Sequence, residues 1–426
     1  MARPRVVIIG GGFAGVATAR ELERTGKNEV DVTLVSRQNF MLFTPMLPEV
    51  ATGSIDAQDI MQPLRSSHHG PRFELGEAIG VDLSRRTVTV RHPLTHDSKL
   101  LEYDELVLAV GATDSTMGVP GVEKFTVPLK TIEDARIVRR RVVGALEAAA
   151  TTSDLATRDR LLRFVVIGGD FTGVELAGEL LAFLHSTLEY YPSIDRSAVD
   201  LVVLESGARL LGHLPDKFGK YAAAALSKRG ARLRLNEKVS AIDGRGVELK
   251  SGERIASGTV IWAAGEKPSP LAEILGLKTN KHGAIETGPD FAVDGAPHVW
   301  ALGDCAGVPR PKGGTYAPLA QIAVREGPLL ARNIVARIRG RSTVNFSYEE
   351  LGQMASLGDR EAVVELPGGT MVTGFAAWLM WRTYYLGRLP GLSRKTRVAL
   401  DWTLGLVFPS FSRAVETEEH AHATLR

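Results

Sequence analysis

The chain has 426 residues, enough for two or three domains, and its 44% hydrophobic and 23% charged residues are ordinary for a soluble protein. Lys and Arg number 51 against 49 Asp and Glu, a net charge of +2 that excludes a general nucleic-acid surface. One cysteine, Cys305, excludes structural disulfides, thiolate zinc clusters and any Cys-x-x-Cys redox pair.

The chain enters an apolar run, Val6-Val7-Ile8-Ile9, soon after Met1. That start is expected to leave no room for a signal peptide. The run stops at Gly10-Gly11-Gly12 and continues as Phe13-Ala14-Gly15 with a helical pattern behind it. Strand, glycine turn and helix together predict a dinucleotide site. Gly10 allows the tight turn, Gly12 lets the backbone approach a pyrophosphate, and Gly15 lets the helix pack on the strand. The helix N–H groups and its positive end then hold phosphate.

Residues 30–36 (VDVTLVS) read as the second strand, ending on Ser36 and Arg37 where an acid usually meets the ribose. Residues 39–52 are apolar with Pro45 and Pro48 limiting helix, which suits either core or a cover over a bound ring. Short strands follow at 72–75 and 87–91, with Glu77-Ala78 after the first. Residues 102–112 give a buried strand stopping at Gly111, a small-residue end that suits a backbone passing close to a ligand.

After a linker bounded by Pro120 and Pro128, a long helix is expected over about 132–150. The opening pattern then recurs: Phe164 to Gly173 matches residues 6–15 in strand, turn and length, with Gly168, Gly169 and Gly173 in the turn and a helix through 175–184. Two such units imply two dinucleotides. Residues 200–205 form a strand ending in Glu205, whose carboxylate would accept two ribose hydroxyls and repel a 2′-phosphate, favouring NADH over NADPH. A surface glutamate opening a loop is the plainer alternative.

Residues 259–265 repeat the strand with a small-residue end at Gly265. Residues 298–307 deliver Gly303-Asp304, a carboxylate suited to a ribityl chain. A helix opens near 318–330 with Gln321 close to its start. Residues 373–386 then carry one charge in fourteen, and five basic residues with no acid follow from Arg382 to Arg397. An apolar aromatic stretch, 398–411, comes next. This tail suits a lipid interface. A hairpin packed on the protein or a homodimer interface stays open beside that reading. No run of about 20 apolar residues predicts a membrane-spanning helix. His68 and His69 read as a surface pair.

The series GGGFAG, LFTPMLPEVATGS, LAVGA, GGDFTGVELAGEL, TVIWAAG, ALGDCA, PLAQIAVREG, GFAAWLMWRTYYL and DWTLGLVFP resembles the type II NADH dehydrogenases over nearly the whole chain. These are single-chain flavoenzymes that reduce quinone at a membrane. The resemblance implies an α/β fold of two Rossmann-like dinucleotide-binding domains, for FAD and NADH, with a C-terminal helical membrane-associating region. The expected bounds are 1–115 with 285–350 for FAD, 116–284 for NADH, and 351–426 for the tail.

It further implies FAD phosphates at Gly10, Gly12, Phe13 and Ala14, with Gly15 in the same cofactor-binding turn, and its ribose near Ser36 and Arg37. Ala78 would meet the adenine side, Asp304 the ribityl chain, and Ala320-Gln321 the ring on its quinone side. Glu175 matches a family glutamate implicated in substrate transfer or protonation; a first-turn acid favoured by the helix dipole is the simpler account. Hydride passes from NADH to the flavin and two electrons to quinone without proton pumping, with the flavin carrying the chemistry. Attachment is expected on the cytoplasmic side of the cell membrane. A flavin-bound redox sensor, or an NADH oxidoreductase with another acceptor, is the alternative. Three departures bear on it: Asp170 replaces the second motif's pyrophosphate glycine, Arg325 stands where a second glutamine is usual, and Ser36, the mildest, stands where an acid is usual.

Overall fold

A computed structural model describes residues 3–26, 29–65, 70–349 and 352–407. The expected surface pair His68 and His69, and the aromatic stretch beyond residue 407, lie outside the described residues. The chain forms two units: residues 1–42, 61–113 and 266–349, and residues 43–60, 114–265 and 350–426. Relative to the expected bounds, residues 266–284 fall in the first unit, and residues 43–60 and the tail in the second.

In the first unit, the apolar run becomes strand Arg5–Ile9 at the centre of a five-stranded parallel sheet. Its order is Val299–Ala301, Glu105–Leu108, Arg5–Ile9, Asp31–Ser36, Arg72–Leu75. Strands buried on both faces need apolar residues without alternation, as Val6, Val7 and Ile8 supply. One face packs on helix Phe13–Thr25 and on the long helix Ala320–Ile338 through Leu22, Trp300, Leu330 and Ile334. The other packs on an antiparallel sheet of Glu77–Asp82, Thr87–Arg91 and Ser98–Glu102 through Val88, Val90 and Leu101.

The second unit repeats this plan. Its parallel sheet runs Val127–Pro128, Thr259–Trp262, Arg163–Ile167, Asp200–Leu204, Ala231–Arg234. A second antiparallel sheet, Val239–Asp243, Gly246–Leu249 and Arg254–Ala256, covers one face. The long helix spans Ile132–Thr151, with Thr131 and Asp134 closing a reciprocal cap at its start.

The tail begins with an antiparallel sheet, Met354–Gly358, Glu361–Glu365 and Met371–Thr373, which the sequence reading did not include. Helices Gly374–Arg388 and Leu392–Val407 follow. Among the described residues no helix is long and apolar enough to cross a membrane.

In the first unit the two helices beside the sheet meet at Gly327. A Cβ there would lie 2.6 Å from Ala17 Cβ and 2.7 Å from the Thr18 nitrogen. Gly327→Ala is therefore expected to push the helices apart and destabilise this unit by about 1–3 kcal/mol. Flavin release on heating should move to lower temperature; an unchanged release curve would refute the contact.

Candidate functional site

Both glycine turns have the same construction. Gly10 adopts φ 123°, and a Cβ on it would strike the Ala109 oxygen at 2.1 Å; Gly168 has φ 118° with the Ala263 oxygen at 2.5 Å. In each case the carbonyl is that of the residue following the neighbouring strand. Gly15 and Gly173 lie directly over the carbonyls of Gly10 and Gly168, where a Cβ would come within 1.9 Å of oxygen. Only glycine allows this approach, and it aims each helix N-terminus out over the strand ends.

The first turn is open. An added Cβ at Gly12 would meet nothing within 4 Å, no side chain caps helix Phe13–Thr25, and its first turn carries no acid. An uncapped helix start beside a glycine whose outer side is clear fits a pyrophosphate. Ser36 flanks it: a Cβ on Gly11 would lie 2.5 Å from Ser36 Oγ. The turn at Gly303-Asp304 packs alongside, with a Cβ on Gly303 falling 3.1 Å from Ala14 and 3.8 Å from Ala323. The first glycine turn, Asp304 and the start of the helix bearing Ala320 and Gln321 are thus brought together within one unit. Gly111 has φ 67° and open space around it, and Ala78 pairs with Val90 in the antiparallel sheet. These residues fit FAD.

Two features here escaped the sequence reading. Glu326, buried on the apolar face of its helix, accepts the Gly303 N–H at 2.7 Å and so fixes the tip that presents Asp304. Burial pushes its carboxyl up to about 7, with the Asp304 charge acting in the same direction and the Gly303 N–H opposing. An acid among Ile322, Ala323 and Leu330 at helical spacing was the available signal. Gln321 is also held from two sides: Tyr348 donates to its side-chain oxygen at 3.3 Å, and Arg325 donates to its carbonyl at 2.6 Å. The Arg325 guanidinium lies 4.5 Å from the Tyr348 ring centre. Cys305 is buried and donates to Leu302 and Leu108 carbonyls; burial raises its thiol to about 12, so it is unreactive.

At the second turn, Glu205 accepts the Gly169 N–H at 2.6 Å and the Gly207 N–H at 2.5 Å. It therefore braces the turn, a structural duty that the expected ribose contact does not include. A carboxylate has further lone pairs, so the two are compatible. Gly265, with φ 73°, packs on Ser115 and Met117. Asp170 starts helix Phe171–Thr187 without capping it, and its carboxylate lies 2.9 Å from His213 Nε2.

Glu175 points from the same helix into the tail. Its Oε1 accepts the Ser356 N–H at 3.0 Å and the Trp381 indole N–H at 3.2 Å. Three residues on, Gly178 meets Leu357 and Gly358 backbone to backbone, and Arg229 bridges the Gly178 and Leu357 carbonyls. Glu49 is buried nearby and accepts the Trp402 indole N–H at 3.1 Å, while its other oxygen has no hydrogen-bond partner. Arg382 lies 4.0 Å from the Trp378 ring centre and 4.5 Å from that of Trp402. Burial pushes both carboxyls up to about 8, with the Glu179 charge adding to the rise. A buried acid that keeps its proton near neutrality can donate it. Among the described residues no cluster of metal ligands occurs.

Helices Gly374–Arg388 and Leu392–Val407 leave Phe375, Leu379, Leu392, Leu400 and Leu404 exposed. Arg388, Arg394 and Lys395 lie at the end of the first and the start of the second. Exposed apolar side chains next to cations suit a lipid headgroup boundary.

The chain is similar to known proteins along its whole length. A family model described as pyridine nucleotide-disulphide oxidoreductase matches residues 4–327, and one described as NDH2 C-terminal domain matches 351–408. The type II NADH:quinone oxidoreductase Ndh of Mycobacterium tuberculosis is 32% identical over 439 residues, covering 100% of this chain and 92% of the relative. A probable NADH dehydrogenase of Dictyostelium discoideum is 29% identical over 95% of this chain and 90% of its own. The fold matches NDH2 of Plasmodium falciparum, solved in complex with NADH, with a TM-score of 0.87 and 19% identity over 96% of this chain and 99% of that one. A chain with this family match, this similarity along its full length and two glycine turns on paired sheets belongs to the type II NADH:quinone oxidoreductases, within the pyridine nucleotide-disulphide oxidoreductases.

Proposed function

We propose a division of labour for the family's reaction, the FAD-dependent oxidation of NADH with two-electron reduction of a membrane quinone. The observation that carries it is the duplicated glycine turn, one copy bare and the other flanked by acids. When bound, FAD accepts hydride from NADH and returns two electrons to quinone.

Gly10, Gly12, Phe13 and Ala14 hold the FAD pyrophosphate on the helix that Gly15 seats against the turn, Ser36 and Arg37 its ribose, Ala78 its adenine side and Asp304 its ribityl chain. Gly111 and Ala320 line its path. Gly168, Gly169 and Gly173 seat the NADH pyrophosphate, with Glu205 reading the ribose and Gly265 giving backbone clearance. Gln321 faces the quinone side of the ring, and Arg325 with Tyr348 fixes its orientation. Glu175 holds a proton for the quinone half of the reaction, which draws one proton from water beyond the hydride that NADH supplies.

The exposed faces of the two tail helices bind the membrane, which we place on the cytoplasmic side. The same faces would serve a homodimer, a second use that the vesicle experiment below separates.

Three outcomes test this reading. Anaerobic NADH should bleach the flavin, and NADH oxidation should depend on added quinone. Arg325→Ala should raise KM for quinone by up to roughly tenfold, by loosening Gln321, while bleaching by NADH is unchanged; a normal KM would remove Arg325 from the quinone side. For the acid, the folded carboxyl of Glu175 at about 8 lies above its ordinary 4.5, so the native state holds a proton that the unfolded chain releases. Stability should therefore be greatest below pH 4.5 as far as this group is concerned, and fall as pH rises from there to about 8, by at most about 1.4 kcal/mol per pH unit. Glu175→Gln keeps an oxygen for Ser356 and Trp381, and should flatten that slope while lowering quinone-dependent turnover. An unaltered melting profile across this range would refute a buried proton.

For the membrane, Leu400→Asp with Leu404→Asp should cut binding to phosphatidylglycerol vesicles at least about tenfold, because each leucine contributes about 1.5–3 kcal/mol on burial. Undiminished sedimentation with vesicles would disqualify this face. A shift of the soluble fraction from dimer to monomer would instead assign it to a homodimer.

A further inference from the structure

We propose that His213 is a latch that holds the Asp170 carboxylate off the pyrophosphate seat of the second glycine turn, and so sets how tightly this chain binds its nicotinamide dinucleotide. The inference rests on the reading of that turn as the NADH seat.

The two turns allow a residue-by-residue comparison. Gly12 starts its helix with φ −85° and ψ −167°, and Asp170 starts the other with φ −91° and ψ −170°. The backbones coincide in conformation, so the Asp170 side chain leaves in the direction that is empty at Gly12. That direction opens onto the helix start where a phosphate would lie. A carboxylate there opposes a pyrophosphate twice. It repels the charge, and it competes for the same N–H groups, because an aspartate at a helix start ordinarily accepts the N–H two or three residues on.

Asp170 makes no such bond. Its Oδ2 is 2.9 Å from His213 Nε2 instead. An aspartate that declines the cap next to it and turns to an imidazole leaves the helix donors to a ligand.

The loop that carries His213 is built to hold it there. Leu211 N–H donates to the Gly169 carbonyl at 2.8 Å, which ties the loop to the turn itself, and Leu214 N–H closes back on Leu211 at 2.9 Å. The other charged groups nearby have duties of their own. Arg209 donates to the Gly212 carbonyl at 2.9 Å and sits 3.6 Å from Asp216, while Glu205 is held by the Gly169 and Gly207 N–H groups. The pair is largely solvent-exposed, at 76% for the His213 side chain and 46% for that of Asp170, whose Oδ1 is the buried oxygen. Exposed pairs are weak, so the latch modulates affinity by a small factor and does not close the site.

A double-mutant cycle on the full-length, FAD-loaded protein tests this, with NAD+ binding read by calorimetry so that no turnover intervenes. His213→Ala should weaken NAD+ binding about two- to fivefold. Asp170→Gly should tighten it about five- to tenfold. In the Asp170→Gly background, His213→Ala should have no effect. An unchanged or tighter affinity for His213→Ala alone would overturn the latch. So would equal weakening in both backgrounds, which means His213 touches the ligand directly. If Asp170→Gly fails to retain flavin, Asp170→Asn carries the same cycle with the charge removed and the shape kept; His213→Ala should then matter less than in the native chain. NAD+ binding to Asp170→Gly that ignores its own starting affinity in the native chain, with no gain, defeats the latch alone. Absence of binding in every variant, with no bleaching by NADH, defeats the latch and the NADH seat together.

Discussion

Both glycine turns of this chain depend on one crossing of backbones. A helical glycine, Gly15 or Gly173, lies on the carbonyl of the glycine that opened the turn, closer than any side chain would allow. The crossing fixes where the helix begins relative to the strand ends, and that placement turns four unpaired N–H groups and a partial positive charge into an anion seat. The parallel sheet beneath supplies the rigid floor. Its central strand is flanked by the second strand on one side and a later strand on the other, in the same order in both units. The seat is thus a property of sheet topology and a missing Cβ. It needs no charged side chain, which is why the two copies keep it while their flanking residues diverge.

That divergence underlies the division of labour proposed for the two copies. In the first, Gly12 leaves the approach clear and Ser36 stands beside Gly11 as a small neutral hydroxyl. In the second, Glu205 replaces the serine and accepts one N–H from the turn and one from its own loop, while Asp170 replaces the glycine. One seat suits a cofactor that stays. The other, with negative charge on two sides, suits a ligand that must arrive and leave in each turnover.

Most of the architecture could be read from residue patterns, because strand, glycine turn and helix each leave a local mark and the mark appears twice. The long helix ending at Thr151 and the tail helices were also visible as patterns of 3.6 periodicity or unbroken apolarity. What stayed hidden was set by distant partners. Glu205 reads as a ribose ligand in sequence because nothing local announces that it will accept from Gly169. Glu175 reads as a first-turn acid, and only the tail sheet and Trp381 reveal that it is buried. Glu49 and Glu326 sit inside stretches that mark the family, yet nothing local announces that either is buried, and Tyr348 lies outside every such stretch. The three short strands of residues 354–373 were missed because brief, polar-edged strands with glycine between them look like loop. Gly178 carried a usable sign, since a glycine inside an apolar helix often means that another backbone passes close by.

The edge strand of the first parallel sheet, Val299–Ala301, pairs with a strand almost 200 residues earlier in the chain, and the Arg339–Glu29 pair joins positions 310 residues apart. The corresponding edge of the second sheet, Val127–Pro128, comes from just ahead of its own glycine motif. During synthesis the second parallel sheet therefore has all five strands by residue 234 except Thr259–Trp262, whereas the first waits for residues past 338 before its covering helix can close. Contacts of such sequence separation are costly in loop entropy and late to form. The turn at Gly10 to Gly12 therefore stays incomplete until Gly303-Asp304 and helix Ala320–Ile338, far along the chain, have been made, and a ligand that needs all three is captured only after them.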